Sequence, residues 1–315
     1  MSLAERRMTL EAYLLAFLGT LIAIGVHAHG VGGVLPQTLI AASIACALDV
    51  ALRAAFTGVR TFPTSALVSG LIVALVLPEG RPWYVPMAAA AIAIGSKHLV
   101  RWGGSNVFNP AAAGVAVSVF LFPGPLQYGH ASYLEPGPRI YYARGYLGMD
   151  GWSFLVDGGH GWTGSTSAMA VMLLGAVLVY RLRRVELVTG YLASYVALIA
   201  AWALLSGDDL VARLVLEVFA TGVPFFAFIM LTDPATSPST VRARIVYGGF
   251  AALLSFLFRL VVGPVLFLLV ALLTANLVLT VQRQRARPAS STEAVRSRLL
   301  RARDVEQARG VEGGG

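Results

Sequence analysis

Three polar stretches interrupt an otherwise apolar chain, and each holds side chains with chemistry to offer. The first runs from Ser96-Lys97-His98 through Gly103-Gly104-Ser105-Asn106 to Asn109-Pro110. Two amides three residues apart, on Asn106 and Asn109, can meet the carbonyl and imide edge of a flavin or quinone. Asn109-Pro110 also suits a plain helix start, with Asn as cap and Pro in the first turn. Lys97 is the single lysine beside 23 arginines. Its ammonium is a compact point charge that a guanidinium does not imitate, which points to a role in a site.

The second stretch is Thr232-Asp233-Pro234-Ala235-Thr236-Ser237-Pro238. Its carboxylate closes an apolar run, where an unpaired charge is costly. Hydroxyls and a carboxylate at this density can bind a ribityl chain or a cation. The plainer reading is a turn capped by Asp233, with the prolines stopping the helix. The third stretch is His160-Gly161-Trp162-Thr163-Gly164-Ser165-Thr166-Ser167. It reads as a Gly-rich loop entering a helix capped by Thr163 or Ser165. Hydroxyls at a helix N-terminus lie where free N–H groups and the dipole favour a phosphate.

The elements that must position these residues are membrane helices. Of 315 residues, 57% are hydrophobic and 13% charged, and the mean hydropathy is +0.72. A soluble chain of this composition would expose more apolar surface than water tolerates. The basic residues fall between apolar segments instead of gathering into one patch, which excludes a nucleic-acid partner despite a pI near 10.0. A single cysteine, Cys46, excludes an internal disulfide and a thiolate-held cluster within this chain. No metal spacing is evident among the five histidines.

Spans are expected at 9–29, 34–55, 63–78, 83–100, 107–123, 165–181, 186–206, 211–231, 243–261 and 263–282. The third and fifth are short and flanked by Pro and Gly. With the N-terminus cytoplasmic, the inner segments and tail hold nineteen of the 24 basic residues, and the outer segments hold Arg81, Arg139, Arg144, Arg213 and Arg259. That bias predicts ten spans with both termini cytoplasmic. The organisation expected is a five-helix half (1–123), an extracytoplasmic loop rich in Gly and aromatics (124–164), a second five-helix half (165–282) and a basic tail (283–315) disordered or attracted to anionic lipid. Five spans per half predicts an inverted repeat, a 5+5 arrangement. Leu77-Pro78-Glu79 and Thr232-Asp233-Pro234 end apolar runs in corresponding places.

In this order and on these faces, the three stretches resemble the flavin-carrying membrane subunits of the Rnf and Na+-translocating NADH:quinone oxidoreductase complexes. The resemblance covers most of residues 60–282. Lys97-His98 through Asn106-Val107-Phe108-Asn109-Pro110 and Thr232-Asp233-Pro234-Ala235-Thr236-Ser237-Pro238 are similar to two signatures of that family, and Asn276 fits as well. The third family signature is Asp-x-x-Ser/Thr-Gly-Ala-Thr. Thr163-Gly164-Ser165-Thr166 matches its second half, with Ser for Ala and His160 where the Asp stands.

The resemblance implies an all-α fold like that of urea and ammonium channels. It implies FMN joined by a phosphoester to Thr166 by a flavin transferase, with Thr163, Gly164 and Ser165 beside it. A second noncovalent flavin, riboflavin or FMN, is implied among Lys97, Asn106, Asn109, Thr232, Asp233 and Thr236. Electrons would pass between these flavins in a complex with other membrane subunits of the inner membrane. The chain shows few intramembrane carboxylates, Asp49, Glu217 and Asp233, so an ion path would need those partners. The alternative is a channel or carrier of a small neutral solute in the same fold, because fold does not fix function.

Overall fold

The computed structural model describes residues 3–58, 62–122, 162–219, 221–262 and 266–286. Most of the expected loop 124–164, including His160, lies outside them, as does the tail beyond 286. Two compact units divide the chain at Leu277, and the three polar stretches belong to the first.

Long helices α1 (Leu3–His29) and α2 (Val31–Thr57) meet at Gly30, whose φ of 81° glycine adopts without strain. Next come α3 (Thr64–Val76) and α4 (Tyr84–Leu99). A two-residue antiparallel pair, β1 (Arg101–Trp102) with β2 (Ser105–Asn106), turns through Gly103 and Gly104, both at positive φ. This explains Gly-Gly-Ser-Asn: the chain folds back tightly before α5 (Pro110–Leu121). Beyond the loop, a 3-10 turn (Thr163–Ser165) precedes α6 (Ala168–Leu182) and α7 (Val185–Ser206).

The expected span 211–231 is broken. A short α8 (Leu210–Leu214) runs into the π-helical Val215–Phe219, and α9 (Val223–Phe225) runs into the π-helical Phe226–Met230. The two arms are bent by 55°, with Gly222 and Pro224 at the start of the second. The last helices are α10 (Val241–Val261) and α11 (Phe267–Arg285).

Helical segments thus stand at all ten expected places; among the described residues, five are long and apolar enough to cross a membrane, or six counting the broken pair. Helices α3, α4, α5 and α6, with 13, 16, 12 and 15 residues, fall short of the ~20 that span a hydrocarbon core. Pro63, Pro78 and the Asn109-Pro110 start truncate α3 and α5. The expected caps of α6 are corrected: Thr163 and Ser165 form the preceding turn, and Ser167 Oγ accepts the Ala170 N–H at 3.1 Å.

Small residues set the helix crossings, as expected where lipid supplies no hydrophobic drive between helices. A Cβ on Gly114 would lie 2.2 Å from the Ala89 carbonyl oxygen, and one on Gly248 would lie 2.5 Å from that of Leu187. The rings of Tyr191 and Tyr195 stack at 5.8 Å, and the Tyr191 hydroxyl donates to Ser255 Oγ at 3.2 Å.

Candidate functional site

Two polar clusters lie at opposite ends of α3. Ser65, in its first turn, belongs to one; the Leu77 carbonyl, just past its last turn, belongs to the other. The helix rise between them is about 18 Å.

At the Ser65 end, a cavity of about 440 Å³ is lined by Lys97, Asn106, Asn109, Thr232, Asp233 and Ser65. Leu14, Ile72, Leu178 and Ile229 form apolar walls. The volume falls in the range of pockets that hold ligands of drug size, and a few polar groups on apolar walls are the usual lining. The two sequence stretches therefore meet around one space.

Several of their polar atoms are already committed to holding the walls together. Asn109 is buried, its Oδ1 accepts the Ala112 N–H at 3.1 Å, and its Nδ2 donates to the Met230 carbonyl at 3.3 Å. Its backbone N–H donates to Asn276 Oδ1 at 2.8 Å. Asn276 Nδ2 donates to the Thr236 carbonyl and to the Tyr247 hydroxyl, at 3.2 and 2.7 Å. Thr236 itself stands behind the wall, donating from Oγ1 to Asp233 Oδ2 at 3.0 Å. Asp233 Oδ1 accepts the Ala235 N–H at 3.1 Å. The turn reading of Asp233 holds, and the residue faces the cavity as well. Dehydration there pushes its carboxyl above the usual carboxylate range, opposed by the Ala235 and Thr236 hydrogen bonds and by Arg184 and Lys97.

Lys97 is not a free ammonium. Nζ donates to Asp49 Oδ1 at 3.1 Å and to Ser65 Oγ at 2.6 Å. The same carboxylate lies 2.8 Å from His98 Nε2 and 2.7 Å from Arg53 Nε, with only 3% of its side chain exposed. Asp49 thus anchors the Lys97-His98 pair from α2. The signal in the sequence was an acid inside an apolar run with Arg53 four residues on.

At the Leu77 end, Thr163, Ser165 and Thr166 are all buried. Thr163 Oγ1 donates to the Leu77 carbonyl at 2.7 Å and accepts from Gln37 Nε2 at 3.3 Å. Thr166 Oγ1 lies 3.0 Å from His29 Nε2 and 2.8 Å from the Thr163 carbonyl. Gly164 is required by packing: a Cβ there would lie 2.5 Å from the Phe225 ring and 3.0 Å from Leu75 Cβ. Gln37 and His29 carry no motif and escaped the reading of the sequence.

A third cluster was also missed. Glu217, fully buried in the first π-helical arm, accepts from Arg259 Nε at 2.9 Å and Nη2 at 3.0 Å. Arg213 lies 3.5 Å from it, pairs with Asp208 and covers the Trp202 ring.

The profile of the NQR2, RnfD, RnfE family matches residues 4–290. The chain belongs to this family. Among its relatives, the D subunit of an ion-translocating oxidoreductase complex from Marinobacter nauticus is 28% identical over 256 residues, which is 68% of this chain and 72% of that one. The D subunit of a Na(+)-translocating ferredoxin:NAD(+) oxidoreductase complex from Acetobacterium woodii is 29% identical over 213 residues, covering 63% of this chain and 64% of the relative. Another D subunit of an ion-translocating oxidoreductase complex, from Shewanella sediminis, is 27% identical over 293 residues, covering 78% and 83%. As a member of the family, with five to six segments fit to span, the chain is a multi-pass membrane protein.

Proposed function

We propose that this chain is the D subunit of an ion-translocating oxidoreductase complex of the Rnf kind. In this reading FMN is held by a phosphoester on Thr166, and a second, noncovalent flavin sits in the Lys97 cavity. Electrons pass between the two flavins. The isoalloxazine supplies the redox chemistry, and the chain binds and orients it.

The observation that carries this reading is the convergence of Asn106, Thr232 and Asp233 on one cavity, with the Thr163–Thr166 hydroxyls gathered at the far end of the same helix. Asn109, Asn276 and Thr236 hold the walls. Asn106 offers its amide to a ring edge, with Asp233 and the Asp49-held Lys97 beside it, while the Thr232 hydroxyl donates back to the Phe228 and Ile229 carbonyls. The charge bias of the sequence favours the cavity end as cytoplasmic and the Thr166 end as extracytoplasmic, with ten spans, an inverted repeat and both termini inside. Arg184 and Arg244, which donate to the Pro238 and Ser239 carbonyls, gather basic side chains at the cavity end and support that assignment.

Expression with the host's flavin transferase, denaturation and an in-gel fluorescence scan test the covalent flavin. A peptide spanning Thr163–Thr166 should carry the mass of FMN on Thr166. Unmodified peptide throughout would refute it. Purified native protein should absorb in the flavin band beyond what the covalent group supplies; a colourless protein would favour a pore for a small neutral solute.

A further inference from the structure

We propose that Lys97 tunes the noncovalent flavin, its ammonium holding the reduced, anionic ring more tightly than the oxidised, neutral one. This rests on the reading that a flavin occupies the cavity at the Ser65 end of α3.

An ammonium carries three donors and no acceptor. Two of those on Lys97 Nζ are spent, on Asp49 Oδ1 at 3.1 Å and on Ser65 Oγ at 2.6 Å. These two bonds fix where the charge stands. The third donor has no partner among the described residues, and Lys97 lines the cavity. The carboxylate that holds it is shared with His98 Nε2 and Arg53 Nε, at 2.8 and 2.7 Å, so it does not serve the ammonium alone. Asp233, the acid of the second stretch, has both oxygens engaged within its own turn.

The free amide of the cavity stands near the same wall. Asn106 lies on β2, which packs against α4, the helix that carries Lys97. Its carbonyl and NH₂ match the N–H and C=O pattern of the pyrimidine edge of a flavin. Reduction adds two electrons and one proton to the neutral ring. The proton, from solvent, goes to N5, and the negative charge spreads over N1 and the C2 carbonyl oxygen of that edge. The electrons come from a reduced low-potential electron carrier, which is oxidised in the same measure. A fixed cation at this edge stabilises the anion and acts little on the neutral ring, and charge near N1 is one of the levers by which a protein tunes a flavin. The apolar walls of Leu14, Ile72 and Ile229 reduce screening of the ammonium. The single lysine among 23 arginines suits this task, because its charge is compact where a guanidinium is spread over a plane.

The test uses full-length chain made without flavin transferase, so that Thr166 stays unmodified, purified in detergent and loaded with riboflavin or, failing that, FMN. The midpoint potential of the bound flavin is read by absorbance in a dithionite titration at fixed pH. Lys97→Met and Lys97→Gln should lower the preference for the reduced over the oxidised flavin about tenfold or more. For a two-electron couple that is a fall in midpoint of about 30 mV or more. Lys97→Arg, which keeps the charge, should recover at least half of the fall. A preference within twofold of wild type in both neutral variants overturns the inference and leaves the flavin site standing. If neither neutral variant binds oxidised flavin, Lys97 is a part of the wall and no more, and the inference falls as well. A Lys97→Arg midpoint as low as that of Lys97→Met also counts against it. A wild-type chain that takes up neither riboflavin nor FMN refutes the site and the inference together.

Discussion

The backbone N–H of Asn109 donates to the side-chain oxygen of Asn276 at 2.8 Å, joining positions 167 residues apart. One amide thereby fastens the start of α5, the Thr236 carbonyl and the Tyr247 hydroxyl to α11. Asn276→Leu leaves the buried Asn109 N–H without its acceptor, at a cost of about 1–3 kcal/mol. The Thr236 carbonyl and the Tyr247 hydroxyl lose a donor but keep each other at 3.5 Å. The thermal midpoint in detergent should fall clearly, and noncovalent flavin should be lost with it. Asn276→Asp keeps the acceptor for Asn109 and should do less harm.

Asp49→Asn removes the charge that Lys97, His98 and Arg53 share. Breaking a buried pair from one side costs about 3–5 kcal/mol. Lys97→Met should cost less, because His98 and Arg53 remain on the carboxylate. Chemical denaturation of the two variants gives the order; a Lys97→Met chain weaker than Asp49→Asn would contradict it.

Gly164→Ala forces a Cβ into the Phe225 ring. Overpacking of this kind costs about 1–3 kcal/mol. Flavin loading of Thr166 should fall alongside stability. Adding Phe225→Leu should recover both, and a double-mutant cycle reads the coupling.

Glu217→Gln leaves Arg259 and Arg213 facing a neutral side chain, with a loss of about 3–5 kcal/mol. Replacing the pair together, Glu217→Leu with Arg259→Met, should be far milder. Thermal midpoints of the three proteins check this.

The helices were legible because apolar runs in this chain end at Pro, Gly or charge, and Asn109-Pro110 announced a capped start. The partners were not. Hydropathy reports where a segment can leave water, but lipid and protein interior are alike apolar, so it does not say which helix lies beside which. Asp49 was visible as an intramembrane acid, yet nothing around it named Lys97, 48 positions on. Span 211–231 was read as continuous, and the break at Gly222-Val223-Pro224, where its second arm begins, was passed over. His29 lay in plain view at a helix end, and only folding brings it to a hydroxyl 137 residues away.

The Glu217–Arg259 pair also bears on synthesis. Forty-two residues separate the two side chains, and at about 5–20 residues per second the ribosome needs roughly 2–8 s to make them. Through that interval the acid has only Arg213, one turn upstream, for company. The buried acid therefore meets the guanidinium that binds it with two hydrogen bonds only once α10 has been made.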